Sequence, residues 1–448
     1  MEVYKSVTRD SRLRKQGYLD LENRIIHKSN RIVVDDDFSA LWCSILAEIE
    51  QIPVFYNEKR IKPLYNSIIC LSNYISAIEM PYCVEIFDSE IINMCLELLK
   101  SKKDPKNDLQ KASSHFLCSL LRGDLAYTRV LIQNGFVEIA MRVLKEPVLS
   151  TYETKIAIIG TIVNILIEPE FQYLHSQFPT ECGYNLIVCS RKPGDLKHPL
   201  RFIYIKCSIN DLNPNDLEIV YSSLVYCMNL DQAENIEMIF TILWKLIERD
   251  AFNRECFDPD LFFSYVKSNY GKSIVRSLGF LTAFCLRFPS DVNKLGITID
   301  DIIEMFDKDD SDVMFHVYEC VDSYLMMNPA LSNRSRVQEL INESFNDENS
   351  FKIKSSICNI INHSIIEMNS ESMGKLDLNR VLTFLFSQAE NSKDNKILIT
   401  TAYIHDQMLR DGSINLENLG IIQSIAQLGV WTGECENIAQ NILSHNNT

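Results

Sequence analysis

The chain has 448 residues, 46% of them hydrophobic, with only 14 glycines and 13 prolines. Length alone suggests two to four globular domains, the apolar content excludes gross disorder, and so few turn-formers mean long helices with short connections. The formal net charge of −16 argues against nucleic acid, whose phosphates demand a basic surface, and favours basic protein or peptide partners.

The first 31 residues stand apart. They hold eight Lys or Arg against four acids, a segment charge of +4, so the rest of the chain carries −20. Arg12, Arg14, Lys15, Arg24, Lys28 and Arg31 lie here among polar residues with no sustained apolar stripe, which predicts a flexible basic N-terminal extension. No apolar h-region makes this start a signal peptide, and nowhere does an apolar run reach the ~18 residues needed to span a bilayer. Residues 32–445 form the predicted body and residues 446–448 a frayed tail.

Helical patterns then follow one another. Within 89–124, SEIINMCLELL and a second apolar run predict a helix pair. The next unit reads VLIQNGFVEIAMRVLKEP (130–147) and YETKIAIIGTIVNILIE (152–168), with Gly135 placed for a sharp turn before the run Phe136 to Leu144. Residues 171–215 concentrate turn formers in FPTECGYN and SRKPGDLKHP, so an irregular repeat with longer loops is expected there.

Beyond this stretch a period emerges. Amphipathic helices begin near Gln232, Lys272, Asp312, Lys352, Lys393 and Gly433, in steps of 40, 40, 40, 41 and 40 residues. Each carries apolar residues at i, i+3, i+4 and i+7. A shorter helix precedes each one, with core positions at Phe263, Ile303, Ile341, Leu382 and Ile422. A fixed step of about 40 residues is the mark of a helical solenoid, because one helix pair cannot bury its own apolar face and stacked neighbours can. The unit 416–445 reads as a terminal cap.

Residues 130–168 resemble an armadillo repeat, in which a short first helix ends at a glycine (Gly135), a leucine-rich second helix follows, and a third carries a small-residue and Asn pattern, here Val163–Asn164–Ile165–Leu166. Leu71–Ser72–Asn73 and Cys358–Asn359–Ile360 echo that third helix. The resemblance implies an all-α, right-handed superhelix of about ten three-helix repeats whose third helices line a concave groove for an extended peptide. The groove candidates it picks out are Asn73, Asn164, Trp244, Glu248, Tyr324, Asn359, His363 and His405. An Asn amide both donates and accepts, and so can hold a peptide backbone; a Trp ring can stack on a cationic stem.

Within that superfamily the overall plan resembles the importin-α nuclear import adaptors. These join a basic importin-β-binding segment to ten repeats, and SRLRKQGYLDLENR (11–24) is loosely similar to the segment. The resemblance implies importin-β as a partner of residues 1–31 and a cytoplasmic protein that shuttles to the nucleus. The sequence departs from the family's WxxxN array. Ile69, Gly160 and Ser355 stand four residues before Asn73, Asn164 and Asn359, and Glu248 stands four after Trp244.

Motifs for catalysis fail in detail. Gly271–Lys272–Ser273 lacks the earlier glycine of a phosphate loop, since Val266 holds that place. Counting from Asp307, the glycine and glutamate places of a calcium loop hold Asp312 and Tyr318, so Asp312 is expected as a helix N-cap instead. The eight histidines form no HExxH and no Cys/His cluster. The 14 cysteines contain no CxxC, and those set among apolar residues, such as Cys43, Cys70 and Cys320, are expected as buried free thiols of a reducing compartment. The sequence reads as a non-catalytic scaffold without metal or cofactor.

Overall fold

Capping residues cut this sequence into helices where the period expected them. Thr151 accepts a hydrogen bond from the Thr154 amide, Ser350 from that of Ile353, and Asp394 from that of Lys396, each satisfying a donor that the first helical turn leaves open. The computed structural model describes residues 36–77, 83–101, 108–146, 150–190, 192–209, 212–230, 235–345, 350–392, 394–413, 415–428 and 431–444. The basic residues Arg12, Arg14, Lys15, Arg24, Lys28 and Arg31 and the tail 446–448 lie outside them. Among the described residues the regular structure is helical and contains no strand, so the expected all-α class holds.

The chain divides into two compact units, residues 1–227 and 228–448. In the first, α1 (Asp36–Asn57) packs on α2 (Ile61–Ser76), and α3 (Val84–Asp88) leads into α4 (Ile91–Lys100) and α5 (Asp108–Leu120). Then come α6 (Leu125–Gln133), α7 (Phe136–Lys145) and α8 (Tyr152–Leu166). Gly135 sits between α6 and α7 at φ +80°, a left-handed conformation that glycine adopts without strain, so the turn expected there is present. The irregular stretch has a 3₁₀ segment (Pro169–Gln177), α9 (Glu181–Val188), a 3₁₀ turn (Pro193–Leu196) and α10 (Lys197–Ile209). The long helices stack as a ladder, α2 on α5, α5 on α8 and α8 on α10. The helix α11 (Pro214–Leu230) follows.

In the second unit the ladder is α12 (Ile236–Glu248), α14 (Ile274–Arg287), α16 (Ser311–Met327), α18 (Phe351–Glu367), α21 (Asn395–Asp411) and α23 (Glu434–Ser444), each packed on the next. Between these rungs lie the shorter α13 (Pro259–Asn269), α15 (Ile299–Ile303), α17 (Ser335–Glu343), α19 (Ser370–Met373), α20 (Leu378–Ser392) and α22 (Leu416–Gln427). Where the first unit has a short helix such as α6, this one has 3₁₀ turns opened by Pro289 and Pro329, residues whose fixed φ suits a first turn.

In the first unit the buried apolar side chains from Ile45 to Ile205 form one cluster, and in the second the shorter helices bury apolar residues of their own. Ile303, Ile341, Leu382 and Ile422 are buried as expected. At α13 the core position is Phe262 and Phe263 is half-buried, a correction of one residue. Asp312 is likewise displaced from the cap it was expected to fill. Asp310 accepts from the amides of Asp312 and Val313 and is the cap of α16. Of the thiols, all fourteen cysteines are free, but Cys43 is exposed and Cys70 half-buried rather than enclosed.

Candidate functional site

A helix in a stacked ladder buries the sides that face its neighbours and leaves one stripe to solvent. On α16 that stripe is Asp312, Phe315, His316, Glu319, Asp322 and Met326, at the three- and four-residue steps of a helix. Cross-rung contacts join N-terminal halves to N-terminal halves and C-terminal to C-terminal, so α12 to α18 run parallel. Arg276 faces Glu237 at 3.7 Å, Ser356 donates to Glu319 at 2.5 Å, and the Asp322 carboxylate lies 2.6 Å from His363 Nδ1. The Lys352 ammonium stands 3.5 Å over the Phe315 ring, a cation–π contact.

Trp244 crosses this face. A Cβ at Gly279 would meet the Trp244 ring at 2.5 Å, so only glycine on α14 lets the indole lie down. The ring continues to His316 of α16 in an edge-on contact with centroids 5.8 Å apart. It remains half-buried. Burial, with the Lys352 and Arg276 cations nearby, drives the His316 imidazole down to about 4, so it is neutral at physiological pH.

The sequence candidates fall into three groups. Asn73 and Glu248 are exposed, and Trp244, Asn359 and His363 are half-buried on their stripes. Asn164 is half-buried with its amide engaged, donating to the Cys118 carbonyl at 3.0 Å from the neighbouring rung. Two expectations of exposure are corrected. Tyr324 is buried and its hydroxyl donates to the Ile297 carbonyl, and His405 is buried in α21. Tyr324 reaches the connection ahead of α15, a side the helical period alone does not separate from the solvent side.

Sequence reasoning passed over Gly279, Phe315, Lys352 and the exposed Leu286, Met326, Ile366 and Tyr403. A glycine inside a helix was the available signal, because it costs roughly 1 kcal/mol against alanine and asks for a packing reason.

In the first unit the rung α8 is more enclosed. Residues Ala157 to Val163 of α8 are buried without a break. A Cβ at Gly160 would meet Cys118 Sγ at 2.9 Å and the His198 ring at 3.0 Å. Lys206 is buried, donating its ammonium to the carbonyls of His175 at 3.1 Å and Phe178 at 2.9 Å, which closes the end of the 3₁₀ segment.

Among the described residues no group of three His, Cys, Asp or Glu side chains converges as a metal site requires, and no helix is long and apolar enough to cross a membrane. What the second unit's face offers is aromatic stacking, paired charge and amide hydrogen bonding.

No family model and no curated protein matches this sequence. Among solved structures, the crystal structure of an engineered protein is similar over 90% of this chain and 99% of its own length, at 12% identity and a TM-score of 0.65. A second engineered protein covers 52% of this chain and 98% of its own length at 15% identity, but its TM-score of 0.41 is too low to inform the fold. The first likeness concerns the fold alone.

Proposed function

We propose that this chain is a non-catalytic scaffold of armadillo type, a right-handed solenoid of about ten repeats, whose second unit holds a partner protein or extended peptide along the solvent-facing stripe of its ladder. The observation that carries this reading is the seat of Trp244. A large aromatic ring is set in a glycine notch, edge-on to His316, and is only half-buried. Aromatic anchors framed by polar groups are what protein interfaces use as hot spots. Asn359 and His363 continue the same stripe. The acidic body favours a basic partner, and the reading includes no nucleic acid, membrane, metal or cofactor.

Selection of a random displayed peptide library on the full-length protein tests it, with photo-crosslinking of enriched peptides to a benzoylphenylalanine at position 359. Enriched peptides should crosslink there, and Trp244→Ala should weaken them by about tenfold, the cost of a typical hot spot. Crosslinks confined to the shorter helices, or indifference to Trp244→Ala, would overturn it. The importin-α-like reading is supported by the basic segment 1–31 and predicts importin-β binding that deletion of that segment abolishes; it would bring shuttling between cytoplasm and nucleus.

A further inference from the structure

Four successive rungs of the second ladder hold a large apolar side chain out in water. These are Leu286 on α14 (56% exposed), Met326 on α16 (53%), Ile366 on α18 (40%) and Tyr403 on α21 (47%). Apolar residues exposed singly are ordinary, but these stand at one level. Between α16 and α18 the cross-rung partners are 37 and 41 positions apart, and Met326 and Ile366 are separated by 40. Between α18 and α21 the partners Asn362 and Thr400 are 38 apart, and Ile366 and Tyr403 are separated by 37. The four side chains therefore form one row that crosses the rungs.

The spacing of that row selects its occupant. Packed helices lie about 8–10 Å apart. A polyproline II segment brings a side chain to the same face every third residue, about 9.3 Å along its axis. A β-strand does so about every 6.6 Å. An α-helix does so about every 5.4 Å and would meet the row only on alternate turns.

Charge narrows it further. The last turns of α16 and α18 contain no basic residue, so the negative ends of these helices stay unneutralised, while α14 ends in Arg287, paired with Asp250, and α21 carries Arg410. Glu367 and the Asp406 carboxylate, 66% exposed, flank the row. Elsewhere on the stripe the acids already have partners, Glu237 in Arg276 and Asp322 in a hydrogen bond with His363.

We infer that the row Leu286, Met326, Ile366 and Tyr403 is the anchoring strip for a polyproline II segment with an apolar residue at every third position and lysine or arginine between. The inference rests on reading the second unit's stripe as the binding face. It names the conformation and chemistry of what binds there.

The test uses full-length protein and a fluorescein-labelled peptide of four Leu-Pro-Lys triplets, followed by fluorescence anisotropy. Binding should weaken by about tenfold or more when the leucines become serine, when the lysines become glutamate, or in the protein variant Met326→Asp with Ile366→Asp. A proline-free helical peptide with leucine at heptad spacing should bind more weakly than the triplet peptide. Because both substituted residues are already half in water, the variant should keep its circular dichroism and Tm. If it does not, Met326→Ser with Ile366→Ser carries the same expectation. Equal binding by the serine peptide, indifference to both double variants, or stronger binding of the helical peptide overturns the inference. Library peptides that crosslink at position 359 but lack a three-residue apolar period would defeat this inference alone, whereas failure of every peptide to crosslink there would defeat the functional reading beneath it.

Discussion

The two units use the same device to opposite ends. Each has a helix-interior glycine on its ladder that admits an aromatic ring from the next rung, Gly160 for His198 in the first and Gly279 for Trp244 in the second. In the first unit the notch belongs to an enclosed helix. Cys118 fills the other side, Asn164 spends its amide on the Cys118 carbonyl, and seven consecutive residues of α8 are shut from water. In the second the indole stays half-open and the stripe on either side of it remains accessible. A repeat lattice thus fixes where side chains lie. Whether that lattice becomes core or binding face depends on whether neighbouring side chains close over the stripe.

The largest effect that could break this comparison lies in the second unit's core. Phe284 is fully buried in a cluster with Phe252, Phe262, Phe280 and Phe288. Phe284→Ala should cost about 3–5 kcal/mol in chemical denaturation, and a loss below about 1 kcal/mol would mean that the openness of this unit extends into its core. Next comes the buried cation of the first unit. Lys206→Ala strands two carbonyls and should cost about 2–3 kcal/mol. The exposed Arg287–Asp250 pair, 2.7 Å long, should cost less than about 1 kcal/mol when Arg287 is replaced by alanine. Equal losses for Lys206 and Arg287 would erase the contrast between sealed and open faces.

The glycines sharpen it more finely. Gly160→Ala should destabilise by about 1–2 kcal/mol, because overpacking among enclosed groups exceeds the gain in helix propensity. Gly279→Ala should cost less and instead shift the Trp244 fluorescence to the red, as the indole swings into water. An unshifted spectrum would show that the ring has nowhere to go.

The last effect appears only in acid. His175 in the first unit and His316 in the second are both driven down to about 4, chiefly by burial and also by nearby cations. Their ordinary value is near 6.5, so protonation favours the unfolded chain. Stability is fully present above pH 6.5 and declines as pH falls towards 4. Replacing either imidazole by Asn should flatten part of that decline in a pH series of thermal melts. A steeper decline would reverse the sign argued here.

Much of the fold was legible because it follows from period and punctuation. The glycine turn at Gly135, the helix expected over 152–168 and observed as Tyr152–Leu166, and the starts of α14, α16 and α18 were all written in apolar spacing. The site was legible only in part. A helix period tells apolar from polar sides, but two polar directions exist on a rung, towards solvent and towards the next rung. Asn164 takes the second, where its amide finds the Cys118 carbonyl, and the buried Tyr324 hydroxyl turns instead to the Ile297 carbonyl ahead of α15. The same blindness hid the row of Met326 and Ile366, which look like core residues at the end of an amphipathic run until the ladder leaves them in water. Asp310 displaced Asp312 as a cap for a similar reason. Both are good capping residues, and only the backbone decides which one stands at the non-helical position.

Partner segments are proposed to lie along the second unit and not the first. Hydroxyl-radical footprinting of the full-length protein, with and without a library-selected peptide, reads this directly. Met326 and Tyr403 report on the second unit, and Tyr173, 65% exposed, reports on the first. Bound peptide should protect Met326 and Tyr403 while Tyr173 oxidises at its free rate. Protection of Tyr173 with Met326 and Tyr403 unchanged would contradict it.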